Sequence, residues 1–180
     1  LKPRSPYGAS EAAAEVLVLE AAARTGLPVT IARLFNQIGP DQPAGQVPAE
    51  FATAVTRAEA ARESRVALAV GDPTKARDFT DTRDTARALM LIAEHRVTGR
   101  LNICSGQTHS LARVIKGLSG LTEIEVAVER APERSNPNDV PVISGSPERL
   151  EKATGWKTEV TLDESLAGML EAQRALLKLG

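Results

Sequence analysis

The single tyrosine of the chain, Tyr7, stands in Ser5-Pro6-Tyr7-Gly8, and Glu11 follows four residues later. On a helix, residues four apart share one face, a turn apart. A tyrosine that moves protons from a helix start is helped by a cation at that next turn, because positive charge favours the phenolate. Glu11 is a carboxylate and acts the other way. On these mechanics alone, Tyr7 reads as an amphipathic residue at a helix start, its ring packed and its hydroxyl in water.

Other chemistry-bearing residues are sparse. Cys104 is the lone cysteine, so no intrachain disulfide forms and no CxxC pair offers zinc ligands. At a strand end with no activating neighbour, it reads as a small buried hydrophobe. His95 and His109 show no ligand spacing. Asp78, Asp81 and Asp84 recur at a spacing of three. That pattern invites a metal, but helix capping accounts for two of them, and no metal is expected. Arg77 has the bland reading of a solvated arginine beside Asp78. "CSGQTHS" carries one glycine, too few for a phosphate loop, and its Ser110 reads as an N-cap.

These residues are placed by alternating helices and strands. Ser5-Pro6 opens a helix over 5–26 that Gly26 stops. "LPVTIARLF" (27–35) reads as a short β-branched strand, and "NQIGPDQPAGQVP" as a loop. A helix over 48–64, a strand over 66–70, a helix over 82–96 and a strand in "RLNICSG" follow. Ser110 caps a helix that ends near Gly117 or Gly120, and "IEVAV" (124–128) is another strand. A proline-rich loop (131–141) leads to "VIS" and a short helix opened by Ser146-Pro147. Trp156 is expected to close the core beneath the C-terminal helices. Thr161 and Glu164 form a capping box for the last helix, each satisfying a free backbone N–H. This alternation means α/β, with strands at least partly parallel.

At 180 residues the chain suffices for one domain with a sizeable core. Only 3% of residues are aromatic, so that core must come mainly from Ala, Val, Leu and Ile. The 22 basic and 23 acidic residues leave a net charge of −1, with no electrostatic reason to expect nucleic acid or an anionic membrane. No apolar run approaches a membrane span and no signal peptide is visible, so a cytoplasmic location is expected. The chain starts at Leu1 and enters a helix almost at once, which reads as a piece of something longer.

Five blocks then occur in order: "PYGASEAAAE", "VTIARLFNQIGPDQ", "RDFTDTRDTARA", "LNICSG" and "NPNDVPVISGSPERLEKATGWKTEVTLDESL". Together they resemble the C-terminal half of extended short-chain dehydrogenases (the NAD-dependent epimerase/dehydratase family). Within that group they are most similar to the branch of GDP-mannose 4,6-dehydratase and GDP-4-keto-6-deoxy-mannose reductase. The resemblance spans essentially the whole chain. It implies the C-terminal part of a Rossmann-type parallel sheet plus a small α/β substrate-binding lobe. Residues 1–36 and about 77–118 would lie on the Rossmann side, with about 37–76 and 119–180 mainly in the lobe.

The resemblance also implies roles. The family signature is Tyr-x-x-x-Lys, so Tyr7 would be the catalytic acid/base and a cofactor contact, with Glu11 where the lysine belongs. Leu34 and Phe35 would form a wall of the nicotinamide pocket. Asn36 would hydrogen-bond the substrate, and Arg77 would contact the nucleotide's diphosphate or ribose through its fork of donors. Asn136 holds a position that the family gives to arginine, Asp139 would accept from ribose hydroxyls, and Arg134 would reach the phosphates instead.

The family's glycine-rich unit lies upstream of the tyrosine. None of the 13 glycines here forms a GxGxxG or GxxGxxG pattern. NAD or NADP is therefore expected in a full-length parent and not on this chain alone. The expected partners are a GDP-linked hexose and further copies of the chain. Two further readings stand beside the enzymatic one: a degenerate, non-catalytic nucleotide-sugar-binding or interaction module, and a purely structural fragment held together as an oligomer.

Overall fold

Ser5 begins the first helix, α1 (Pro6–Thr25), by accepting the Gly8 N–H on its Oγ at 3.0 Å. Pro6 fills the first turn, and Gly26, at φ 73°, ends the helix in the left-handed region that suits glycine. The computed structural model describes residues 2–40, 42–43, 45–134 and 140–179.

After α1 come β1 (Thr30–Leu34), β2 (Asn36–Ile38), α2 (Val47–Ala60), β3 (Arg65–Val70), β4 (Ala76–Asp81) and α3 (Thr82–Glu94). They are followed by β5 (Gly99–Ile103), β6 (Thr108–Ser110), α4 (Leu111–Ser119) and β7 (Glu125–Arg130). A 3-10 turn (Pro132–Arg134), β8 (Val142–Ile143), α5 (Glu148–Thr154) and α6 (Leu162–Leu179) complete the order.

The expected α/β class is what forms. β1 pairs in parallel with β5, Thr30 opposite Gly99 through Leu34 opposite Ile103. β3 pairs in parallel with β7 over six residues. In a third sheet β4 is parallel to β2 and β8 and antiparallel to β6. The first core lies among β3, α2, α4 and α6, built from Val55, Leu68, Val114, Leu118, Leu166 and Leu170. The second packs α3 and α5 on β5 through Ile92, Leu101, Ile103, Leu150 and Trp156. Trp156 is buried and donates its Nε1 to the Asp84 carbonyl at 3.0 Å.

Buried carboxylates staple these layers. Glu15, the buried residue of α1, accepts both Nε and Nη2 of Arg33 at 2.9 Å and a further bond from Arg100. Because Arg33 and Arg100 sit on the paired strands β1 and β5, this one side chain holds α1 to that sheet. Asp81 caps α3 through the Arg83 N–H at 2.8 Å and accepts the Ser165 hydroxyl of α6 at 2.6 Å. Asp84 receives the N–H groups of Glu159 and Val160, each at 3.0 Å.

The sequence reading and the structure differ in places. The strand read over 27–35 is confined to 30–34, and the helix read to 64 stops at Ala60. The segment read as a loop after Phe35 begins with the strand β2. β4 and β6 were not anticipated. β4 is "ARDFTD", whose polar residues conceal a strand because Asp78, Thr80 and Asp81 are all buried.

Candidate functional site

Two cavities carry the residues singled out in the sequence. The first, of about 310 Å³, is lined by Asn36 from β2, Arg77 and Phe79 from β4, Phe51 from α2, Lys75, and Arg134 from the 3-10 turn. Asn36 stands opposite Phe79 in the parallel ladder, which sets it at the cavity's edge beside β4. Arg77 Nη1 donates to the carbonyls of Ala76 at 2.9 Å, Val140 at 3.0 Å and Pro141 at 3.4 Å. Arg134 donates from Nη1 to the Ala69 carbonyl at 3.0 Å and pairs with Glu50.

Among the described residues lining this cleft are the cations Lys75, Arg77 and Arg134 and the carboxylate Asp72. Thr74 hydrogen-bonds Asp72 through its hydroxyl at 2.6 Å and its N–H at 2.9 Å, and these bonds hold the carboxyl below its usual range. The walls are otherwise apolar, from Val47, Pro48, Phe51, Val70 and Leu111. An apolar cleft of this size with converging cations is suited to an anionic small molecule.

The second cavity is a groove of about 590 Å³ along α1, lined by Lys2, Tyr7, Glu11, Glu15, Arg33 and Leu34 among others. Tyr7 is 74% exposed, so its ring is not packed as its bland reading required. Leu34 is also exposed. Phe35 is half-buried; a Cβ added at Gly145 would stand 2.7 Å from its ring, which marks how closely the two pack.

The sequence-selected residues thus form two sets: Tyr7, Glu11 and Leu34 in the groove, and Asn36, Arg77 and Arg134 in the cleft. Asn136 and Asp139 lie outside the described residues. Lys75, Asp72 and Phe51 also line the cleft, though the sequence singled out none of them. The basic Lys75-x-Arg77 pair was the signal available for Lys75.

The three aspartates, Asp78, Asp81 and Asp84, are engaged by the protein's own donors, and no three His, Cys, Asp or Glu side chains converge to hold an ion among the described residues. Burial pushes the Cys104 thiol up to about 12, helped by the nearby charge of Asp78, which disfavours the thiolate. No described helix is long and apolar enough to cross a membrane.

The groove fits a nicotinamide cofactor only in part. It presents the Tyr7 phenol and an apolar wall at Leu34, but also the Glu11 carboxylate, which would repel an anionic cofactor.

Comparison with known proteins gives the chain's relatives. GDP-6-deoxy-D-mannose reductase of Pseudomonas aeruginosa is 35% identical over 169 residues, taking in 93% of this chain and 55% of that protein. UDP-glucuronic acid decarboxylase 6 of Arabidopsis thaliana is 28% identical, over 98% of this chain and 49% of its own length. The solved structure of RMD from Pseudomonas aeruginosa complexed with NADPH matches with a TM-score of 0.89 at 33% identity, covering 97% of this chain and 58% of that one. MoeE5 in complex with UDP-glucuronic acid and NAD matches with a TM-score of 0.85 at 32% identity, covering 97% and 57%. The chain spans about half the length of the curated relatives it matches. Residues 1–169 fit the sequence model of one family, and on that match the chain belongs to the GDP-mannose 4,6 dehydratase family.

Proposed function

We propose that this chain is the sugar-nucleotide-binding half of an NAD(P)-dependent dehydratase, reductase or epimerase acting on a GDP-linked hexose, and that it does not turn over alone. The observation that carries this reading is the convergence of Asn36, Arg77 and Arg134, with Lys75, on one apolar-walled cleft. Guanidinium groups there suit a diphosphate, because their planar forks match its oxygens. The apolar wall at Phe51 and Phe79 suits a base or sugar face. Asn36 would hydrogen-bond the sugar, and Asp139 would accept from ribose hydroxyls.

In a longer protein that also carries the dinucleotide-binding unit, NAD or NADP would supply the hydride exchange, with Leu34 and Phe35 as its wall. Tyr7 would hold and move the proton at its Oη. Residues 1–36 and about 77–118 would then form the cofactor side, and the rest mainly the substrate lobe. Residence in the cytoplasm and assembly as a homo-oligomer belong to this proposal.

One observation favours a second reading. Glu11 lines the same groove as Tyr7, and a carboxylate there opposes both the phenolate and an anionic cofactor. A degenerate, non-catalytic nucleotide-sugar-binding or interaction module would tolerate that residue.

Calorimetric titration of the chain with GDP-mannose and, separately, with NADPH tests the main reading. GDP-mannose should bind with saturable heat and NADPH should not. Heat from NADPH at micromolar concentration, with none from GDP-mannose, would overturn it.

A further inference from the structure

Asp78 has no part in the function proposed above, although it adjoins Arg77 in the same strand. It is 0% exposed. Its Oδ1 accepts the Ser105 N–H at 2.8 Å and the Ser105 hydroxyl at 2.7 Å. Its Oδ2 accepts the N–H of Gly106 at 3.0 Å and of Gly145 at 3.3 Å. One carboxylate thus gathers two segments distant in sequence: the loop that leaves β5, and the strap 140–145 that carries β8.

The strap has little freedom at that point. A Cβ at Gly145 would stand 2.6 Å from the Cys104 sulfur and 2.7 Å from the Phe35 ring, so only glycine lets the backbone run this close. At its other end the strap meets Arg77. Ala76 donates its N–H to the Pro141 carbonyl at 2.9 Å, and Val142 and Ile143 lie beside Ala76 and Arg77 in the β4–β8 ladder. The Val140 and Pro141 carbonyls then receive Arg77 Nη1.

We infer that Asp78 is the positioning residue for Arg77. By holding Gly145 it fixes the strap against β4, and the strap's carbonyls aim the guanidinium into the cleft. Adjacent residues on a strand point to opposite faces, so Asp78 acts from behind the cleft while Arg77 lines it. The link to ligand binding rests on the function proposed above; the positioning itself does not.

The test reads Arg77 directly, by nitrogen-15 relaxation of its side-chain Nε in the 180-residue chain. The unliganded wild type should show an ordered guanidinium. Asp78→Asn keeps only one acceptor oxygen and should loosen Arg77. Gly145→Ala displaces the strap with Asp78 intact and should do the same, which covers the case in which Asp78→Asn fails to fold. Ser105→Ala removes a bond from the other segment and should leave Arg77 ordered. Arg77 equally ordered in folded Asp78→Asn or Gly145→Ala would overturn the inference.

Affinity for GDP gives the second readout. Asp78→Asn and Arg77→Ala should each weaken GDP binding about tenfold, and the double variant should be no worse than Arg77→Ala. Additive losses would overturn positioning through Arg77, because residues acting through one another do not add. No GDP binding by the wild type, with Arg77 order still following Asp78, would instead defeat the functional reading alone.

Discussion

Tyr7 and Glu11 share the groove along α1, and the resemblance read in the sequence implies a lysine at the position of Glu11. In a form that also carries the dinucleotide-binding unit, Glu11→Lys should raise turnover by about a hundred- to ten-thousand-fold, the usual range for such acid–base help. Tyr7→Phe in that background should abolish the gain. No change on Glu11→Lys in a cofactor-binding form would mean that Tyr7 is not the proton carrier. Glu15, a turn further on, is governed by its partners. The hydrogen bond from Arg100 and those from Arg33 hold its carboxyl below the usual range, outweighing the burial that pushes it up. A depressed folded-state pKa adds stability above the unfolded value of about 4.3, and that stability is lost as pH falls through the folded value. Glu15→Gln should therefore destabilise at neutral pH and flatten the acid-side loss seen in thermal melts. The cost should be about 1–3 kcal/mol, less than for a fully buried pair because both guanidinium groups remain partly in water.

Helices were the elements most legible in the sequence, because their ends carry local chemistry. Ser5, Ser110 and the Thr161–Glu164 box cap where their residue types say they should. The strands β1, β3, β5 and β7 were found through apolar or β-branched runs. β4 escaped because it is identified by its partners: Asp78 takes its donors from residues 27, 28 and 67 positions away. No local pattern reports such bonds. Asn36, Arg77 and Arg134 were legible through resemblance alone, since nothing near them in sequence shows that they converge. The packing of α6 on α2 is the element-scale contact most open to test. Leu170 is 1% exposed in the core they share. Leu170→Ala should cost about 2–5 kcal/mol by urea denaturation. A loss below that range would mean that α6 is not the lid of that core.

At the scale of the molecule, α1 and the adjoining strand carry exposed apolar side chains among the described residues. Glu15 is the buried residue of α1, while Val16, Leu17 and Val18 are exposed, as is Leu34 at the end of β1. The sheet beside them has two strands, β1 and β5. Surface of this kind, next to an open sheet edge, favours association. Light scattering after size exclusion should give a mass above that of one chain, and a monomer at every concentration would count against it. The cleft remains the central matter, and its most direct measurement is the backbone amide spectrum of the labelled chain titrated with GDP-mannose. Saturable shifts should fall on Asn36, Gly71, Lys75, Arg77 and Phe79, which line the cleft, and leave Gly8 and Glu11 in the groove unmoved. Shifts confined to the α1 groove, or none at all, would contradict the assignment of this cleft to a sugar nucleotide.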